Sequence, residues 1–228
     1  EIYTLSLHDA LPIWSAQAEK IPSEVQEDEL KNRLDLREEL TYTIDGSDTR
    51  DFDDAISVSK DQHGNYRLGV HIADVTHYVK ENTPLDKEAL KRGTSVYLVD
   101  KVIPMLPKEL SNGICSLNPD VDRLTLSCLM TIDKKGVVVE HQIVESVIRS
   151  KYRLVYEDVS HLLETIDRTK QFTELEQSLI FAEELANILF EVREHRGAIE
   201  FDFPESKVIV EDEQILDVQV REIGIAHV

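Results

Sequence analysis

Two cysteines in 228 residues leave no disulfide framework to read, and Cys115 and Cys128 lack the paired spacing of zinc or redox motifs. Both sit among strand or turn residues and are expected to be small buried hydrophobes. No apolar run is long enough to cross a bilayer as a helix, and no secretory leader is expected. A cytoplasmic, reduced setting with no membrane partner is therefore expected. Positive charge is also scarce: 25 Lys and Arg against 45 Asp and Glu give a formal net charge of −20. That balance repels polyanions and argues against a nucleic-acid partner unless the field is inverted locally. Internal repeats and low-complexity linkers are missing from the body of the chain.

What the chain has in excess is acid, concentrated in the run 43–55, where Asp45, Asp48, Asp51, Asp53 and Asp54 crowd together. Carboxylates this close raise one another's pKa values and destabilise a compact arrangement unless a cation neutralises them. An all-oxygen donor set favours hard ions such as Mg²⁺ or Mn²⁺ over zinc or copper. A calcium EF-hand is excluded, because counting from Asp45 places Arg50 where the turn glycine belongs and Ile56 where the bidentate glutamate belongs. A solvated acidic turn is the bland alternative for any such cluster. The flanks argue for more, since the run leads into two strands of a hairpin, 55–59 and 66–75, around a turn at His63, Gly64 and Asn65. An extended 51–53 segment points Asp51 and Asp53 to one side and Asp54 to the other, and a turn at 46–48 would bring Asp45 back toward them. Asp48 is left out of the ligand set, because a turn aspartate commonly bonds local amides.

The remaining pattern predicts an α+β fold, a mixed or antiparallel sheet with packed helices. Thr83 as N-cap, Pro84 in the first turn and Gly93 as terminator delimit a short helix. A longer helix starts after Thr173 with Glu176 completing a capping box, and Leu175, Leu179, Ala182, Leu185, Ala186 and Leu189 form its apolar stripe. Segments 124–132 and 137–147 read as a hairpin, and 208–210 with 215–220 as another. His71, inside a strand pattern, reads as a satisfied core residue rather than a catalytic base.

The stretch Ile44-Asp-Gly-x-Asp-x-Arg-Asp-Phe-Asp-Asp-Ala55 resembles the catalytic signature of the ribonuclease II/ribonuclease R (RNB) family of processive 3′-to-5′ exoribonucleases. Val70-His-Ile-Ala-Asp-Val75, Arg92-Gly-Thr-Ser-Val-Tyr97, Leu110-Ser-Asn-Gly-Ile-Cys-Ser-Leu-Asn-Pro119 and Asp122-Arg123 agree in the same order. The resemblance implies that Asp45, Asp51, Asp53 and Asp54 surround a catalytic Mg²⁺, with Mn²⁺ as a substitute, and that Asp53 is essential for cleavage. It further implies that Tyr97, Tyr156 and Phe201 contact single-stranded RNA, although on sequence alone a ring such as Tyr97 or Phe201 is more often a core residue. The activity implied is metal-assisted hydrolysis of single-stranded RNA to nucleoside 5′-monophosphates by an RNA-degrading enzyme, monomeric when complete and flanked by OB-fold domains. A noncatalytic RNA- or cation-binding module of the same fold, or an inactive fragment, shares these aspartates and stays open at this point.

Residues 1–13 read as an in-frame translation of sequencing-adapter DNA and are set aside from the fold. Residues 14–34 read as a polar, acidic linker, and 35–228 as the N-terminal portion of the catalytic domain. The end, 221–228, resembles the entry to a family helix, so the domain is expected to be truncated there.

Overall fold

The computed structural model describes residues 14–99, 101–199, 205–211 and 214–221. The readings made for 1–13, Phe201 and 222–228 lie outside the described residues. The chain is an α+β molecule, as its pattern of strands and helices predicts. Residues 14–33 are polar, yet they dock. Helix α1 (Trp14–Ala18) and a 3₁₀ turn (Glu27–Leu30) set Trp14, Ala18, Ile21, Val25 and Leu30 against the main core. At the end of this segment Arg33 reaches Asp74 at 2.6 Å, both side chains buried. A few anchors spaced among charged residues suffice to hold a segment that reads as a linker by composition.

Strands β1 (Leu34–Asp35), β2 (Tyr42–Asp45), β3 (Asp54–Lys60) and β4 (Tyr66–Ala73) follow. The predicted 66–75 strand stops two residues early. Asp74 accepts a hydrogen bond from the His77 amide and caps a one-turn helix, α2 (Val75–Tyr78), because a capping carboxylate satisfies an amide that the strand would leave exposed. Helix α3 (Pro84–Arg92) has Thr83 as its N-cap and Gly93 as its left-handed C-cap, as predicted. Gly93 at φ +73° occupies the region where a Cβ is costly. The short hairpin β5 (Val96–Tyr97) and β6 (Val102–Ile103) comes next, then a π-type turn, Glu109–Ile114.

The long hairpin β7 (Asp122–Ile132) and β8 (Val138–Arg149) extends both predicted strands. Strand β9 (Tyr152–Val155) runs directly into α4 (Tyr156–Thr165). Helix α5 (Glu174–His195) carries the predicted Thr173 and Glu176 capping box. Its deepest apolar residues are Leu179, Ile180 and Leu185, with the rest of the predicted stripe half-buried. A separate hairpin, β10 (Glu205–Glu211) and β11 (Gln214–Arg221), is antiparallel.

Seven strands form one mixed sheet in the order β1-β8-β7-β4-β3-β2-β9. The centre is antiparallel, whereas β1 and β9 pair in parallel at the two edges. Tyr66, Ile132 and Leu185 pack together with Leu68 and Met130, and Tyr42 packs with Val159 and Leu179, so α4 and α5 cover one part of the sheet. Phe52, Ala55, Leu85, Leu110, Ile114 and Leu117 make the larger core near the acidic loop. Cys115 is buried as expected, while Cys128 is only half-buried. His71 is fully enclosed, hydrogen-bonded to Ser127 at 2.7 Å and Ser57 at 3.1 Å. No helix among the described residues is long and apolar enough to cross a membrane.

Candidate active site

The acidic run occupies the connection from the end of β2 to the start of β3, so Asp45 closes one strand and Asp54 opens the next. Tyr42 pairs with Ile56 across these strands, and the charges of Asp54 and Asp53 act on Asp45. The loop between them is tied down at several points. Thr49 donates its amide to the Gly46 carbonyl at 3.1 Å, closing the predicted turn. Phe52 is buried, and its amide donates to Ser116 Oγ at 3.0 Å while its carbonyl accepts from the Leu117 amide at 2.7 Å. Ser116 Oγ also donates to the Arg50 carbonyl at 3.2 Å. Burying Phe52 between Asp51 and Asp53 turns both carboxylates away from the core, as an extended backbone requires.

Three of the four predicted ligands interact electrostatically. Burial, reinforced by repulsion from Asp54 and Asp53, pushes Asp45 up from 3.8 to about 6. Burial and then the Asp53 charge raise Asp54 as well. Asp45 Oδ2 is buried without a hydrogen-bond partner, which is costly for an ionised oxygen. Asp51 is engaged differently, since Tyr97 donates its hydroxyl to Asp51 Oδ2 at 2.9 Å. That hydrogen bond, followed by burial, raises the Tyr97 pKa. Among the described residues, no group of three or more His, Cys, Asp or Glu side chains is gathered in metal-holding geometry.

Tyr97 is 66% exposed on the β5–β6 hairpin, so its ring is a surface feature and not part of the core. Tyr156 is half-buried at the first position of α4. It directly follows Val155, which pairs with Asp45 in the parallel β2–β9 ladder. Phe201 lies outside the described residues. Sequence reasoning overlooked two residues that shape the loop, Ser116 and Arg153. Each works through backbone carbonyls and amides, whose partners leave no mark in the sequence.

Fold and site together define a class: an α+β domain presenting a cluster of carboxylates where two adjacent strands meet. Within that class the chain belongs to the RNB domain family, whose model matches residues 33–228. It is 52% identical over 213 residues to ribonuclease R of Thermotoga maritima, covering 92% of this chain and 30% of that protein. It is 48% identical over 213 residues to ribonuclease R 1 of Lactococcus lactis subsp. lactis, covering 92% of this chain and 26% of the relative. The structure of Mycoplasma genitalium RNase R in complex with ribose-methylated single-stranded RNA superposes with a TM-score of 0.84 at 30% identity, covering 93% of this chain and 33% of that one. The chain thus spans about a quarter to a third of the length of these relatives. The family is one of metal-dependent nucleases.

Proposed function

We propose that this chain carries the cation-holding part of a cytoplasmic, RNA-degrading 3′-to-5′ exoribonuclease that releases nucleoside 5′-monophosphates from single-stranded RNA, 35–228 being catalytic domain and 14–34 its entry. The observation that carries the reading is the half-buried Asp45, one oxygen unpartnered, facing the charges of Asp53 and Asp54. Such an arrangement is unfavourable as it stands and becomes favourable when a divalent ion supplies the missing positive charge. The donor chemistry fits Mg²⁺, with Mn²⁺ as a substitute, held by Asp45, Asp51, Asp53 and Asp54. When bound, such an ion would neutralise the scissile phosphate and make a bound water more acidic.

The protein's own groups do the positioning. Asp53 directly follows Phe52, whose burial and backbone bonds fix the main chain there, and its exposed carboxylate is the one assigned to orient the attack. Tyr97 exposes its ring, and Tyr156 and Phe201 complete a set of aromatics. Stacking on such rings contributes about 1–3 kcal/mol per base irrespective of sequence, which suits an enzyme that removes every nucleotide in turn. Asp51 would exchange the Tyr97 hydroxyl for the ion.

The test is cleavage of 5′-labelled single-stranded RNA in Mg²⁺, comparing the parent chain with Asp53→Asn. The substitution is expected to slow cleavage roughly 10²–10³-fold, the scale of losing one preorganised charge-stabilising group, with RNA binding retained. Equal rates would remove Asp53 from the catalytic role. Binding of RNA and Mn²⁺ without turnover by the parent would instead favour the noncatalytic module.

A further inference from the structure

The acidic loop is fastened in both of its halves. Its second half is held by Ser116 and Leu117 through Arg50 and Phe52. Across its first half, between Asp45 and Thr49, a side chain from outside the loop reaches the turn backbone. Arg153 Nη2 donates to the Ser47 carbonyl at 2.8 Å, with longer contacts to the Thr49 carbonyl at 3.3 Å and the Gly46 carbonyl at 3.4 Å. The guanidinium lies 5.2 Å from the centroid of the Phe52 ring. Its strand places it well, because β9 runs parallel beside β2 with Arg153 opposite Thr43 and Val155 opposite Asp45. One planar group therefore joins the start of the loop, its turn and the buried phenylalanine before Asp53.

We propose that Arg153 is a positioning residue of the aspartate site: its guanidinium gathers the carbonyls of the 46–49 turn and so fixes Asp45 relative to Asp53 and Asp54 for cation binding. This rests on the cation-site reading above. A lysine cannot substitute, because an ammonium is a point donor without the flat fork that bridges several carbonyls and stacks on a ring.

The charge of Arg153 makes the test directional. A cation beside a cation site repels the ion, so a bystander arginine, once removed, should leave Mn²⁺ binding tighter. A positioning arginine, once removed, should leave it weaker. Mn²⁺ binding is measured by electron paramagnetic resonance on the parent chain, Arg153→Ala and Arg153→Lys, with amide hydrogen exchange across 46–50 as a second readout. Arg153→Ala is expected to weaken binding about tenfold, the lower end of what losing an outer-shell partner costs, and to speed exchange in the turn. Arg153→Lys, which keeps the charge, is expected to remain weaker than the parent. Equal or tighter binding by Arg153→Ala, or turn exchange unchanged, overturns the proposal. Should Arg153→Ala lose its cooperative melt, Arg153→Lys decides by the same criteria. If the parent itself takes up no Mn²⁺, the cation-site reading fails, and exchange in the turn still judges what Arg153 holds.

Discussion

At the scale of single residues, Asp45 couples the acidic site to stability. Its folded pKa is about 6 against an ordinary 3.8, raised by burial and then by its neighbours. Between those values the folded chain holds a proton that the unfolded chain has released. Linkage then makes the metal-free fold less stable as pH rises through that window. His71 works in the opposite sense, because burial lowers it from 6.5 to about 4 and the unfolded state binds the extra proton. Its contribution to stability grows with pH over nearly the same range, so the two partly cancel in the parent. The Asp45 effect is best read as a difference. Relative to Asp45→Asn, the parent should lose melting temperature as pH rises from about 4 to about 6 without divalent ion, and Mn²⁺ at neutral pH should restore it for the parent alone. A parallel pair of melting curves would mean that Asp45 does not ionise against its neighbours. The same carboxylates were the most legible part of the site, because a dense run of acid between strand patterns is visible in sequence. Asp51 was expected from sequence to be a ligand, and its part as acceptor of the Tyr97 hydroxyl, a contact spanning 46 positions, was not legible there.

At the scale of elements, local signals were read correctly and long-range pairings were missed. The Thr83 and Thr173 caps, the hairpins and α5 follow from contacts a few residues apart. The parallel edges could not be read in this way. β1 pairs with β8 and β2 with β9 across more than a hundred positions, and nothing in a two- or four-residue strand names its partner. The docking of 14–33 was hidden similarly, since polar composition masked its apolar anchors. One element-scale consequence concerns β4, where Gly69 packs against half-buried Ser57 and buried His71. A Cβ there would stand 2.5 Å from Ser57 Oγ and 2.7 Å from His71 Nε2. Both atoms are committed to their mutual hydrogen bond, so admitting a methyl group means disrupting that bond or shifting the enclosed ring. Gly69→Ala is therefore expected to cost about 1–3 kcal/mol, the usual penalty for overpacking. It would be read as a lower urea midpoint at unchanged m-value. An unaltered midpoint would show that the sheet yields at this point.

At the scale of the whole molecule, a net charge of −20 has to coexist with the polyanionic substrate proposed above. Affinity for RNA in most proteins comes from lysines and arginines that displace counterions, each phosphate contact adding about −0.7 to the slope of log K against log salt on a single strand. Near this site the supply of such groups is small. Arg50 is exposed on the acidic loop, while Arg153 is occupied with loop carbonyls. On the proposed reading, attraction comes from an ion held by the carboxylate cluster and from stacking on exposed rings such as Tyr97, neither of which releases many monovalent counterions. Binding of a short labelled RNA to the Asp53→Ala chain, followed by anisotropy across a KCl series in Mn²⁺, should therefore be weak. Its slope should be no steeper than about −1.4, equivalent to two phosphate contacts. Removing Mn²⁺ should weaken binding further, because the acidic loop then faces the phosphates with its repulsion intact. A slope steeper than about −3 that persists without the divalent ion would place the RNA on a basic surface away from the aspartates. The strand end bearing Asp45, Asp53 and Asp54 would then no longer be the place where this chain receives its substrate.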